Sequence, residues 1–139
     1  MLLVDSSVWI DRTRAVETLA TRFVDAREGA EELALTAGIY LEVLQGVRDD
    51  AVFGRLKAML EALAFLHPRD GLQTYELAAQ LYRRARRAGF TIRKSSDCLI
   101  AAIALEHQAL LIHNDRDFLA LAKIEPRLHI YPGSPAQAH

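Results

Sequence analysis

Apolar residues along this chain fall into two rhythms. Five short runs, over 2–4, 33–36, 64–66, 110–113 and 129–131, lack clean polar alternation, and the last is closed by Pro132-Gly133. Short unalternated runs of this kind predict strands covered on both faces. Between them the spacing turns helical. Trp9, Ile10 and Thr13 begin one helix, and Leu19, Phe23 and Val24 mark a second. Residues 39–46 make a short third, and Val52, Leu56, Met59, Leu60 and Leu63 repeat at helical spacing as a fourth. The longest is predicted over 74–88, with Thr74 as N-cap and Gly89 just past its end. Two more are predicted over 96–107 and 118–123. Strands alternating with helices imply right-handed crossovers. The predicted fold class is therefore α/β: one domain over 1–131, with a mainly parallel, five-stranded sheet flanked by helices on both faces. The stretch 132–139 reads as a disordered tail.

Composition narrows this picture. At 139 residues with 51% hydrophobic content, the chain can bury a proper core and is no disordered polymer. The apolar runs are far shorter than the roughly 20 residues a membrane span needs. Met1 leads straight into the first predicted strand with no basic and long apolar segments ahead of it, so no secretory signal is expected. The single cysteine, Cys98, excludes an internal disulfide and suits a reducing cytoplasm. A net charge of −1 means that any nucleic-acid contact must come from a local patch.

Acidic residues fall where an open parallel sheet binds ligands, outside the carboxyl ends of its strands. Asp5 ends the first strand. Asp115 follows the fourth, with Asp117 two residues on. Glu42 lies on the short helix after the second strand, and Asp97 opens the helix leading to the fourth. Each also has a structural reading. Ser96 reads as the cap of its helix with Asp97 favouring the positive end, Asp115 and Asp117 as the cap and first turn of the next, and Asp5 as the start of a loop. Glu42 is harder to absorb, because Ile39, Leu41, Val43 and Leu44 around it are apolar and no Lys or Arg lies close in sequence. If Asp5, Glu42, Asp97 and Asp115 converge, protons or cations must relieve their repulsion. Oxygen donors almost free of sulfur and imidazole favour Mg²⁺ or Mn²⁺ over zinc.

Four segments, VDSSVWID, TAGIYLEVLQG, KSSDCLIAAIALEH and LLIHNDRDF, stand in this order across nearly the whole chain. Together the set resembles the PIN domain, a family of metal-dependent nucleases, and most of all its small VapC-type ribonuclease toxins. That resemblance implies an acidic catalytic and metal-binding set at Asp5, Glu42, Asp97 and Asp115, with Asp117 matching an additional acid found in many members. It places Ser6 at a small hydroxyl position that supports a ligand or water. Asn114 stands where many relatives carry a hydroxyl or basic residue. The implied cofactor is Mg²⁺ or Mn²⁺. The implied partners are an RNA substrate, a second copy in a homodimer, and a small VapB-like antitoxin.

Between Glu76 and Asp97 the only charged residues are basic: Arg83, Arg84, Arg86, Arg87, Arg93 and Lys94. They read either as solvated ends of a helix or as a rim holding an RNA backbone. Arg93 and Lys94, next to Asp97, lean to the second, and Arg116 between two acids can reach a phosphate or a carboxylate. Trp9, Tyr40, His113 and Cys98 read as structural. Two other functions compete. An aspartyl phosphotransfer or phosphohydrolase domain would want an acid after the third strand, where Leu66-His67-Pro68 stands, or two residues after Asp5, where Ser7 stands. A scaffold that binds RNA without cutting would have no use for four packed carboxylates. An RNA-processing nuclease outside any toxin pair would share the same acids.

Overall fold

The computed structural model describes residues 1–133, so most of the expected tail over 132–139 lies outside the described residues. All five predicted strands form: β1 (Leu2–Val4), β2 (Leu33–Leu35), β3 (Ala64–Phe65), β4 (Leu110–Ile112) and β5 (Ile130–Tyr131). They make one parallel sheet in the order β3-β2-β1-β4-β5, with Val4 in register with Ile112. Most are a residue or so shorter than predicted. Thr36 shows why, since its hydroxyl accepts from the Ile39 N–H and turns the chain into a helix.

Seven helices connect them: α1 (Ser6–Thr13), α2 (Leu19–Arg27), α3 (Ala37–Gln45), α4 (Asp50–Glu61), α5 (Gly71–Arg87), α6 (Ser95–His107) and α7 (Arg116–Ile124). From β1 the chain steps outward twice, to β2 and then β3. It then crosses back to β4 and continues to β5. Right-handed connections therefore place α1–α4 on one face and α5–α7 on the other. The packing agrees, with α1 against α2 and α3, and α5 against α6 and α7. The core between these layers includes Leu3, Val4, Trp9, Leu35, Ile39, Leu81, Leu111, Ile112 and Phe118, all essentially buried.

Two predicted helix caps are not found. Thr74 is not the N-cap of α5, which begins at Gly71. Its buried hydroxyl bonds the Asp70 carbonyl and both Glu106 carboxylate oxygens. Glu106 also accepts the Arg69 N–H, so a carboxylate from α6 ties down the segment leading into α5 and its first turn. Nor does Ser96 cap α6. The N-cap is Lys94, without a side-chain bond, and Asp97 sits in the first turn. Further along, Gly89 ends the α5 connection at φ +90°, a conformation glycine adopts without strain.

Candidate metal centre

The strand order reverses between β1 and β4, and ligands of open parallel sheets bind in that crevice. Asp5 and Asp115 stand at its two lips. Both are N-caps, and each uses one of its two oxygens for the bonds that fix it. Asp5 Oδ2 accepts from the Ser7 amide at 3.3 Å and the Ser7 hydroxyl at 2.7 Å, while Oδ1 is buried with no hydrogen-bond partner among the described residues. Asp115 Oδ1 accepts from the Asp117 amide at 3.0 Å and from Arg93 Nη2 at 2.8 Å. Capping engages one oxygen of each carboxylate, so that reading does not exclude a second use for the other.

Asp97 reaches the crevice from the amino end of α6, 5% exposed, and its Oδ2 also lacks a partner among the described residues. Burial first, then the charges of Asp5, Asp115 and Glu42, push its pKa up to about 7. Asp5 is raised as well, by burial against the opposing bonds from Ser7. Glu42 arrives from the opposite face on α3. Ser6 Oγ donates to its Oε2 at 3.1 Å, and Lys94 Nζ lies 3.9 Å from the same oxygen. The cation that local sequence did not supply thus comes from a distant segment. Of the apolar residues around Glu42, Ile39, Val43 and Leu44 are buried, but Leu41 is 62% exposed.

Asp97, Asp115 and Asp117 form a compact acidic trio among the described residues, each offering an oxygen within 4.8 Å of the others. Asp117 is 3% exposed, and its Oδ2 accepts from both the amide (3.2 Å) and Nε (3.1 Å) of Arg93. Two neighbours without a part in the sequence reading of the site, Ser7 and Asp11, complete the frame through Asn114. Ser7 Oγ accepts the Asn114 amide at 3.2 Å, tying the end of β4 to Asp5, and Asn114 Nδ2 donates to Asp11 at 3.2 Å. Only the position of Ser7, one helical step inside a capped helix, hinted at its part.

The arginine run is not one continuous rim. Arg84 is bound to Glu125 and to the Ile124 carbonyl at the carboxyl end of α7, whereas Asp115 and Asp117 stand at its amino end. Arg86 lies over the Tyr82 ring and Arg87 is exposed. Among the described residues no ion pair ties either of them, or the exposed Arg116, to the acids. Trp9, His113 and Cys98 are structural, as expected: the Trp9 indole donates to the Val4 carbonyl, His113 bridges Pro132 and Asp115, and Cys98 is buried. Tyr40 is half-buried and bonded to Glu61.

A family model, the PIN domain, matches residues 2–124. The chain belongs to the PIN-domain family. Among relatives of this PIN domain, Ribonuclease VapC11 of Mycobacterium tuberculosis is 38% identical over 128 residues, covering 89% of this chain and 93% of its own. The VapC ribonuclease Mb1587 of Mycobacterium bovis matches to the same extent. Two solved structures share the fold. VapBC2 from Rickettsia felis, bound to a DNA fragment from its promoter, aligns with a TM-score of 0.68 at 12% identity over 93% of this chain and 96% of that one. VapBC-1 from nontypeable Haemophilus influenzae aligns with a TM-score of 0.69 at 19% identity over 93% and 95%. No helix among the described residues is long and apolar enough to cross a membrane.

Proposed function

We propose that this protein is a Mg²⁺- or Mn²⁺-dependent endoribonuclease that hydrolyses RNA phosphodiesters and serves as the toxin of a type II toxin–antitoxin pair. One observation carries the reading: two buried carboxylate oxygens without partners, Asp5 Oδ1 and Asp97 Oδ2, belong to acids that repel one another together with Glu42 and Asp115. A buried charge left so is costly unless a cation joins it. Two relatives named as ribonucleases support RNA as substrate. Neighbours solved as VapBC assemblies support a small antitoxin as partner. Exposed Leu41, Leu72 and Tyr75 offer apolar surface to a second copy.

The donor set suits a hard divalent ion, with carboxylates only and orphaned oxygens aimed inward. Asp5, Glu42, Asp97 and Asp115 would hold it. Such an ion activates water and offsets charge on the phosphoryl group when bound. The chain's own contribution is preorganisation. Ser7 fixes which Asp5 oxygen faces the crevice, and Ser6 fixes Glu42. Asp97 takes up a proton below about pH 7 and releases it above. Arg93 and Lys94, both more than half exposed, stand at the mouth where a phosphate must pass an acidic centre.

The test uses the full chain with Mn²⁺ and a mixture of transfer, ribosomal and messenger RNA. Internal cleavage is expected, blocked by EDTA and reduced at least about 100-fold in Asp5→Asn. Induced expression should arrest growth, with arrest abolished by Asp97→Asn. RNA left intact by wild-type protein with Mn²⁺ would refute the reading.

A further inference from the structure

Proximity alone would enrol Asp117 among the ligands, yet its bonding points elsewhere. Both N–H groups that reach its Oδ2 come from one residue, Arg93, through the amide at 3.2 Å and the side-chain Nε at 3.1 Å. The remaining reach of that guanidinium goes to Asp115 Oδ1 through Nη2 at 2.8 Å. Asp117 is 3% exposed and fixed in the first turn of α7, whereas the Arg93 side chain is 54% exposed. A rigid buried carboxylate therefore grips the inner edge of a planar cation whose outer part faces solvent. Forked contacts of this kind hold a guanidinium at a set orientation, which a lysine ammonium cannot reproduce.

Asp115 fits the same division. Its Oδ1 serves the Asp117 amide and Arg93, and among the described residues no hydrogen bond claims its Oδ2, which leaves that oxygen for the crevice. Arg93 thus touches the outer side of the acidic set, and the other cation of the mouth, Lys94, belongs to Glu42 on the far side. Segment 88–94 reaches this position along α7. It passes Lys123, whose ammonium lies over the Phe90 ring, before arriving at Asp117. Arg84 is bound at the opposite end of that helix and cannot substitute.

We infer that Asp117 is a positioning residue for Arg93, not a metal ligand, and that Arg93 so held is the contact that binds a substrate phosphate at the mouth of the acidic crevice. This rests on the ribonuclease reading above and assigns Asp117 a different part from Asp5, Glu42, Asp97 and Asp115.

The experiment has two readouts on the metal-free full-length protein and its variants. Calorimetric titration with Mn²⁺ alone comes first. Asp117→Asn should retain affinity within about threefold of wild type, while Asp97→Asn loses about tenfold or more. Steady-state cleavage of the RNA that wild type cuts best comes second. Arg93→Ala and Asp117→Asn should each raise KM by about tenfold with kcat little changed, and the double variant should be no worse than Arg93→Ala. Arg93→Lys should recover only part of the loss, since it restores charge without the fork. Thermal melts confirm that each variant is folded. A tenfold or greater loss of Mn²⁺ affinity in Asp117→Asn would overturn the inference, and so would an unchanged KM in Arg93→Ala. Wild-type protein that neither binds Mn²⁺ nor cleaves RNA would instead remove the nuclease reading beneath it.

Discussion

Asp5 and Asp115 each satisfy a helix amino terminus with one oxygen, whereas Asp97 caps nothing and its Oδ2 is buried without a partner. Its raised pKa fixes how stability follows pH. Folded Asp97 holds a proton up to about pH 7, while the unfolded chain releases it near 3.8. The folded state binds more protons across that window, so this group weakens metal-free protein as pH rises from about 4 to about 7 and adds nothing further above. Asn resembles the protonated acid at all pH values. Asp97→Asn should therefore raise the melting temperature of metal-free protein at pH 8 by roughly 5 °C and leave it nearly unchanged at pH 4. Scanning calorimetry at the two values checks this, and equal shifts at both would refute it. In wild type, Mn²⁺ affinity should climb with pH and level off above about 7, because binding must displace that proton.

Helices and strands were legible wherever one local rule dominated. Short apolar runs marked the strands, and aspartates at the carboxyl ends of two of them marked the crevice, because side-chain type and chain direction suffice for both. What stayed hidden was long-range. The Glu106 carboxylate that serves the start of α5, the Lys94 ammonium beside Glu42 and the Ser7 tie to Asn114 join residues between 32 and 107 positions apart. No periodicity encodes such pairings. The arginine run shows the same limit, since Arg84 looks like its neighbours in sequence yet is spent on α7. Glu125, 5% exposed at its side chain, accepts from Arg84 and Arg127, and the same arginine bonds the Ile124 carbonyl. Arg84→Ala should therefore destabilise the protein by about 1–2 kcal/mol, with Arg127 left to share the buried charge. Denaturant unfolding measures this. Mn²⁺ affinity should stay within about twofold, because α7 presents Asp115 from its other end.

Taken whole, the molecule carries a net charge of −1 and draws five acids to one crevice, so it cannot gather RNA by bulk attraction. Cations at the mouth must do so, and the fold leaves few there. Arg93 and Lys94 are in place and Arg116 is exposed beside Asp115, while Arg84 is committed elsewhere. About three phosphate contacts on single-stranded RNA release counterions with a slope near −0.7 per contact, giving roughly −2 in log affinity against log salt. Adding Arg86 and Arg87 would steepen this to about −3.5 by the same rule. Measuring 1/KM for one short RNA from low to moderate KCl, at fixed Mn²⁺, separates the two. A slope near −2 means that RNA is held at the crevice alone, whereas −3.5 or steeper would require a track running back along α5. Near-zero slope would mean that the bases, not the backbone, provide the grip. The shallow slope is expected because Arg84 holds the α5 run at the far end of α7 from the acids.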